Sequence, residues 1–109
     1  MGDRVDVHTA RGLARHQVAT MAVDLGLDLV LEPEKTMDTD VGWVFFYNSR
    51  EFVETGDPRH SVIGNAPLLI DGRTGLVHLL GTEHPVEHYL FEYRRSGDPY
   101  GATATELGA

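Results

Sequence analysis

The chain has 109 residues, 41% apolar and 24% charged, values that fit one globular domain and exclude wholesale disorder. It holds no cysteine, which excludes disulfides, thiolate catalysis and cysteine-ligated zinc. Nine basic and seventeen acidic side chains give a net charge of −8, the wrong sign for a phosphate-backbone binder, so no nucleic-acid partner is expected.

The acid is unevenly spread. Residues 24–57 carry nine carboxylates (Asp24, Asp28, Glu32, Glu34, Asp38, Asp40, Glu51, Glu54, Asp57) against Lys35 and Arg50, a net of −7. No apolar run approaches the roughly 18 residues of a membrane span, and the opening MGDRVDVH has no signal-peptide core. A soluble cytoplasmic protein without membrane contact is the expectation.

Periodicity assigns the elements in turn. Leu13, Ala14, Gln17, Val18, Met21, Ala22 and Leu25 make one stripe of an amphipathic helix from about Thr9 to Leu25, with Thr9 as its cap and Gly26 as its stop. The period then drops to two. Leu27, Leu29 and Leu31 alternate with Asp28, Val30 and Glu32 as a strand that Pro33 ends, and Glu34 to Asp40 reads as a polar loop. Gly42 to Asn48 is a second strand, with Trp43, Phe45 and Tyr47 on one face and Val44 and Phe46 on the other, a central strand covered on both sides.

Residues 49–66 have turn signals and room for one helical turn at Arg50–Glu54. Two apolar runs, 67–71 and 76–80, flank Gly72–Arg73–Thr74–Gly75 as a β-hairpin; taking Asp71 and His78 as outward puts Leu68, Ile70, Val77 and Leu79 on the core side. Pro85 opens a last helix on Val86, Tyr89, Leu90 and Tyr93, with Arg94 and Arg95 near its end and Gly97 as its stop. The expected class is α+β in the order α-β-β-β-β-α, a mainly antiparallel four-stranded sheet with N- and C-terminal helices. It forms one domain over 1–95, followed by a flexible tail over 96–109.

The second half resembles a known family. The stretches Arg50–Asp57, Gly64–Asp71, Thr74–His78 and Leu80–Thr82, followed by Pro85, Glu87, Tyr89, Leu90 and Tyr93, resemble, in the expected order, the YrhB-like family, grouped with bacterial polymorphic-toxin immunity proteins as immunity protein 35. The likeness covers about Gly42 to Tyr93. It implies a small cytosolic bacterial domain that binds protein; members are associated with neutralising a cognate toxin, and at least one with chaperone-like activity. It brings no catalytic residue set. Read physically, the shared residues are structural: Gly56, Gly64, Gly75 and Gly81 stand where turns call for positive φ, Asn65 can bond its own loop, and Thr74–Gly75 closes the hairpin.

No constellation for chemistry emerges. His84–Pro85–Val86–Glu87–His88 fits a zinc-protease pattern, but Pro85 pushes His84 out of the helix, and polar side chains at a helix start are the simpler reading. The other histidines (His8, His16, His60, His78) show no ligand spacing or close carboxylate partner, and His78 reads as solvated. Ser49, Ser61 and Ser96 lack a nucleophile elbow, and no phosphate loop is present. Neither a metal nor a cofactor is expected, and no enzyme.

The expected activity is therefore binding. A cognate protein toxin, its identity open, would be neutralised by occlusion. Asp38, Asp40, Glu51, Glu54 and Asp57 would steer a basic partner, since opposite potentials speed encounter more than they add affinity. Trp43, Phe45 and Tyr47 would anchor it if that face is exposed, or serve a homodimer; the competing reading folds residues 49–66 over them as a second small core. The alternative activity is that of a chaperone-like holdase with many clients.

Overall fold

The computed structural model describes residues 3–62 and 65–101. Helix α1 spans Val7–Leu25. It starts two residues before Thr9, because the Asp6 carboxylate accepts the Thr9 amide at 2.8 Å and caps the helix from outside. Gly26 stops it in the left-handed conformation at φ 67°, as its position predicts. Ala10, Ala14 and Val18 are buried, with Leu13, Met21 and Ala22 packed beside them, whereas Leu25 lies past the covered stretch and is exposed.

Six strands follow instead of four: β1 (Leu29–Leu31), β2 (Met37–Asp38), β3 (Gly42–Phe45), β4 (Tyr47–Ser49), β5 (Leu68–Asp71) and β6 (Val77–Leu79). They form two antiparallel sheets, β1-β4 and β2-β3-β5-β6. The expected strand Gly42–Asn48 is one extended run that changes partners at Phe46. Its first half pairs Gly42–Phe45 with Leu68–Asp71, and its second half pairs Tyr47–Ser49 with Leu29–Leu31. The polar loop contributes β2, whose Met37 and Asp38 stand opposite Val44 and Trp43. At the start of β3, a side chain on Gly42 would overlap the Ile70 carbonyl, so only glycine lets β3 and β5 approach there.

Helix α2 (Arg50–Thr55) is capped by Ser49, whose hydroxyl accepts the Phe52 amide at 3.0 Å and donates to the His60 carbonyl at 2.5 Å. Buried Asn48 ties the following segment down: its Oδ1 accepts the Val62 amide at 2.7 Å and its Nδ2 donates to Ser61 Oγ. Helix α3 (Val86–Ser96) has Pro85 at its cap, one position earlier than expected, and ends at Gly97 with φ 76°. Ser96, placed at the head of the tail by sequence, is the last residue of α3; beyond it the Tyr100 hydroxyl donates to the Leu79 carbonyl at 2.7 Å. The rest of the expected tail, 102–109, lies outside the described residues.

The fold is thus α+β with a helix at each end, in three layers. On one face of the sheets α1 packs on Phe45, Tyr47, Leu68 and Ile70; on the other α3 packs its Tyr89 and Leu90 on Val44, Leu69 and Leu80. This double cover corrects the hairpin reading. Asp71 and His78 do not face outward, because both faces of the sheet are covered; they lie on the α3 side, Asp71 buried and His78 half-buried. Leu79, expected inside, sits at the end of edge strand β6 and is exposed.

The glycine readings divide. Gly56 and Gly75 do adopt positive φ, 74° and 76°. Gly81 does not; it is small because the Tyr89 hydroxyl occupies the space a Cβ would need. Gly64 is outside the described residues. Asn65 reaches beyond its loop to the Tyr47 carbonyl.

Candidate functional site

Alternation along β3 and β4 sends Trp43, Phe45 and Tyr47 to the face that α1 covers. Phe45 and Tyr47 are 1% and 3% exposed, in one core with α1, and Val62, Asn65 and Ala66 close over Tyr47, so residues 49–66 supply part of the cover. The exposure that anchoring a partner or a second copy required is absent at these two residues, because a helix with three small or β-branched inward residues fits closely over two aromatics. Trp43 is half-buried. Its indole N–H donates to the Val5 carbonyl at 2.8 Å, and the Arg4 guanidinium stacks 4.1 Å above the ring. It fastens the segment ahead of α1.

The five acidic candidates do not form one patch. Asp38 and Asp40 lie ahead of the run of residues 42–49, whereas Glu51, Glu54 and Asp57 lie beyond its end, on and after α2. At the first end the carboxylates are matched. Asp38 meets Arg4 at 2.9 Å, and Asp40 accepts two hydrogen bonds from Arg94, at 2.5 and 2.6 Å, which hold its carboxyl below the ordinary range. At the second end Asp57 accepts from Arg59 at 2.7 Å, which lowers its carboxyl likewise, and Glu51 lies 3.2 Å from His60. His60 therefore does have carboxylate partners, a proximity that sequence spacing did not show. Glu54 is exposed and, among the described residues, has no ion pair.

Extending the count to all nine carboxylates of residues 24–57 sharpens the picture. Asp28 pairs with Arg50 and Glu32 with Lys35, so only Asp24, Glu34, Glu51 and Glu54 keep no Lys or Arg partner among the described residues. Glu34 sits in a single 3-10 turn at Pro33–Lys35, and Glu51 and Glu54 sit on α2. Between those two elements runs a groove of about 340 Å³ with Pro33, Phe52 and Val53 among its walls. Sequence reading missed this groove. Its only signals were the apolar pair Phe52–Val53 inside an acidic stretch and a proline bounding a loop.

Two other places hold ionisable groups. A cleft of about 590 Å³ lies between Arg4, Asp40, Asp71, Arg73, Tyr93 and Arg94. Asp3 also lines it; of its other acids, Asp40 is committed to Arg94, and Asp71 to the Tyr93 hydroxyl and to the Arg73 and Thr74 amides at 2.7 and 2.9 Å. Burial pushes the Asp71 carboxyl up, the Tyr93 hydroxyl and the two amides pull it down, and the result is below the ordinary value. Burial and the Asp71 charge together raise the Tyr93 phenol. His78 closes the chain, 3.2 Å from the Tyr93 hydroxyl. The geometry is that of a fastener between hairpin and α3. At the start of α3, His84 lies outside the helix as Pro85 dictates, its ring stacked on His88 with centroids 4.1 Å apart. Among the described residues no group of three or more His, Cys, Asp or Glu side chains converges as a metal site would require. No helix among them is long and apolar enough to cross a membrane.

With helices on both sheet faces, and with no group of three or more His, Cys, Asp or Glu converging among the described residues, the architecture is that of a small domain whose outer surface is available for contact. A model of the family Immunity protein 35 matches residues 8–96, from the first turn of α1 to the last residue of α3, and the chain belongs to that family. One curated relative, the "Uncharacterized protein YrhB" of Escherichia coli (strain K12), is 45% identical over 60 residues, 55% of this chain. The match spans 64% of that relative's length. No solved structure matches.

Proposed function

We propose that the chain is an immunity-type protein that binds a cognate protein toxin and neutralises it by covering it, without chemistry of its own and in the cytoplasm. Membership of the Immunity protein 35 family across residues 8–96 is the observation that carries this reading. Its binding surface is the acidic side around α2, where Glu51 and Glu54, without Lys or Arg partners among the described residues, set up the field that draws a basic partner; Asp38, Asp40 and Asp57, each matched to an arginine, add little. The burial of Phe45 and Tyr47 in the core, with Trp43 half-buried beside it, favours the acidic side over the aromatics as the partner's contact.

The test is co-expression with a toxin encoded beside this chain's gene. The reading predicts restored growth and a complex that survives purification. Unrelieved toxicity with no complex would overturn it. Protection of many unrelated unfolded proteins, insensitive to salt, would instead favour a holdase.

A further inference from the structure

We infer that the groove between the Pro33–Lys35 turn and α2 receives a lysine or arginine side chain projecting from the protein partner. This rests on the reading that the chain acts by binding protein, and names the chemistry that one part of its surface selects. The groove, about 340 Å³, has an apolar floor of Pro33, Phe52 and Val53, the last two half-buried. Its acidic side is Glu34, exposed and without an ion pair among the described residues, and Glu32, whose side chain is 13% exposed. Lys35 stands 3.2 Å from Glu32 and is held by it, so Glu34 is the uncompensated charge at the mouth.

A long cationic side chain matches both features. Its methylene stem covers apolar surface while its charged head stays at the wet rim. An acidic or purely apolar side chain satisfies one feature and opposes or ignores the other. The surrounding field agrees, because three of the four carboxylates in residues 24–57 left without Lys or Arg partners (Glu34, Glu51, Glu54) lie on the two elements that bound the groove. At about 100° per residue, Phe52, Val53 and Gly56 share the groove side of α2, while Glu51 and Glu54 point to its far side. Glu34 is then the contact, and Glu51 and Glu54 provide longer-range attraction.

The test needs no toxin, so its failure is distinct from failure of the immunity reading. Amide NMR shifts of the full chain are followed while capped Gly-Lys-Gly is titrated, with Gly-Arg-Gly, Gly-norleucine-Gly and Gly-Glu-Gly as comparisons. Saturable shifts confined to residues 34–35 and 52–56 are expected for the lysine and arginine peptides alone. Glu34→Gln should weaken them about three- to fivefold, the scale of an exposed ion pair. Lys35→Gln should tighten them about twofold, and Glu54→Gln, on the far side of α2, should leave them nearly unchanged. Equal shifts for norleucine, shifts scattered over all acidic surfaces, or equal loss in Glu34→Gln and Glu54→Gln would each overturn the assignment.

Discussion

The two ends of the strand run formed by β3 and β4 carry the same kind of residue and use it differently. At the start, Asp38 and Asp40 are taken up by Arg4 and Arg94, side chains from the far ends of the described chain, so the carboxylates close the structure. Past the end, Glu34, Glu51 and Glu54 face solvent around α2 without a Lys or Arg. Net charge per stretch of sequence is therefore a poor guide to field. What counts is where the fold supplies a counter-charge: Arg4 and Arg94 take up Asp38 and Asp40, whereas Arg50, Lys35 and Arg59 take up Asp28, Glu32 and Asp57 and leave Glu34, Glu51 and Glu54 without a Lys or Arg among the described residues.

The comparison can be broken at several points. The largest effect belongs to the core that both ends frame. Phe45→Ala removes a fully buried ring between α1 and the sheet and should cost about 3–5 kcal/mol by urea denaturation. A loss below about 1 kcal/mol would mean that α1 does not cover this face.

Next is the fastener beside the matched end. Tyr93→Phe removes a hydrogen bond to buried Asp71 and should cost about 1–3 kcal/mol at pH 7. Because the folded Asp71 carboxyl lies below its unfolded value of about 3.9, its contribution is fully present above that value. It is lost as pH falls through the folded value. Tyr93→Phe should accordingly flatten the acid limb of the stability curve, and an unchanged limb would show that the bond does not set the carboxyl.

Charge reversal separates the ends in binding. Converting the unmatched Glu51 and Glu54 to Lys should slow association with a basic toxin about tenfold or more at low salt while leaving the fold intact. The difference should shrink as screening shortens to about 8 Å at 0.15 M. The smallest effect is expected from removing each matched pair whole, Asp38→Asn with Arg4→Gln and Asp40→Asn with Arg94→Gln, which should change the same rate by less than about twofold, since each pair carries no net charge. Equal slowing by the two sets would erase the distinction between the ends.

Sequence patterning made the frame of this fold legible because helix stops, alternation and hairpin chemistry are local. The α1 stripe, Gly26, Gly97 and the Leu68–Leu79 hairpin follow from neighbours in the chain. The partner change at Phe46 left no trace, since an unbroken aromatic run reads the same whether one strand pairs it or two. The two-residue β2 is too short for any period to register. Asp71 was misplaced because alternation gives parity but not which face is dry, and a second helix on the sheet leaves no wet face. The acidic site was legible as composition only. The ion pairs that cancel Asp38 and Asp40 join residues 34 and 54 positions apart, beyond any spacing rule, and the groove beside α2 needs the same long-range knowledge.

The most direct test of action by cover is a titration of the purified chain into a fixed amount of the neighbouring toxin, with toxin activity as the readout. The account predicts inhibition that completes at a fixed molar ratio and reverses when the complex is dissociated. Inactivation of many toxin molecules by each copy, or full toxin activity in excess chain, would contradict it.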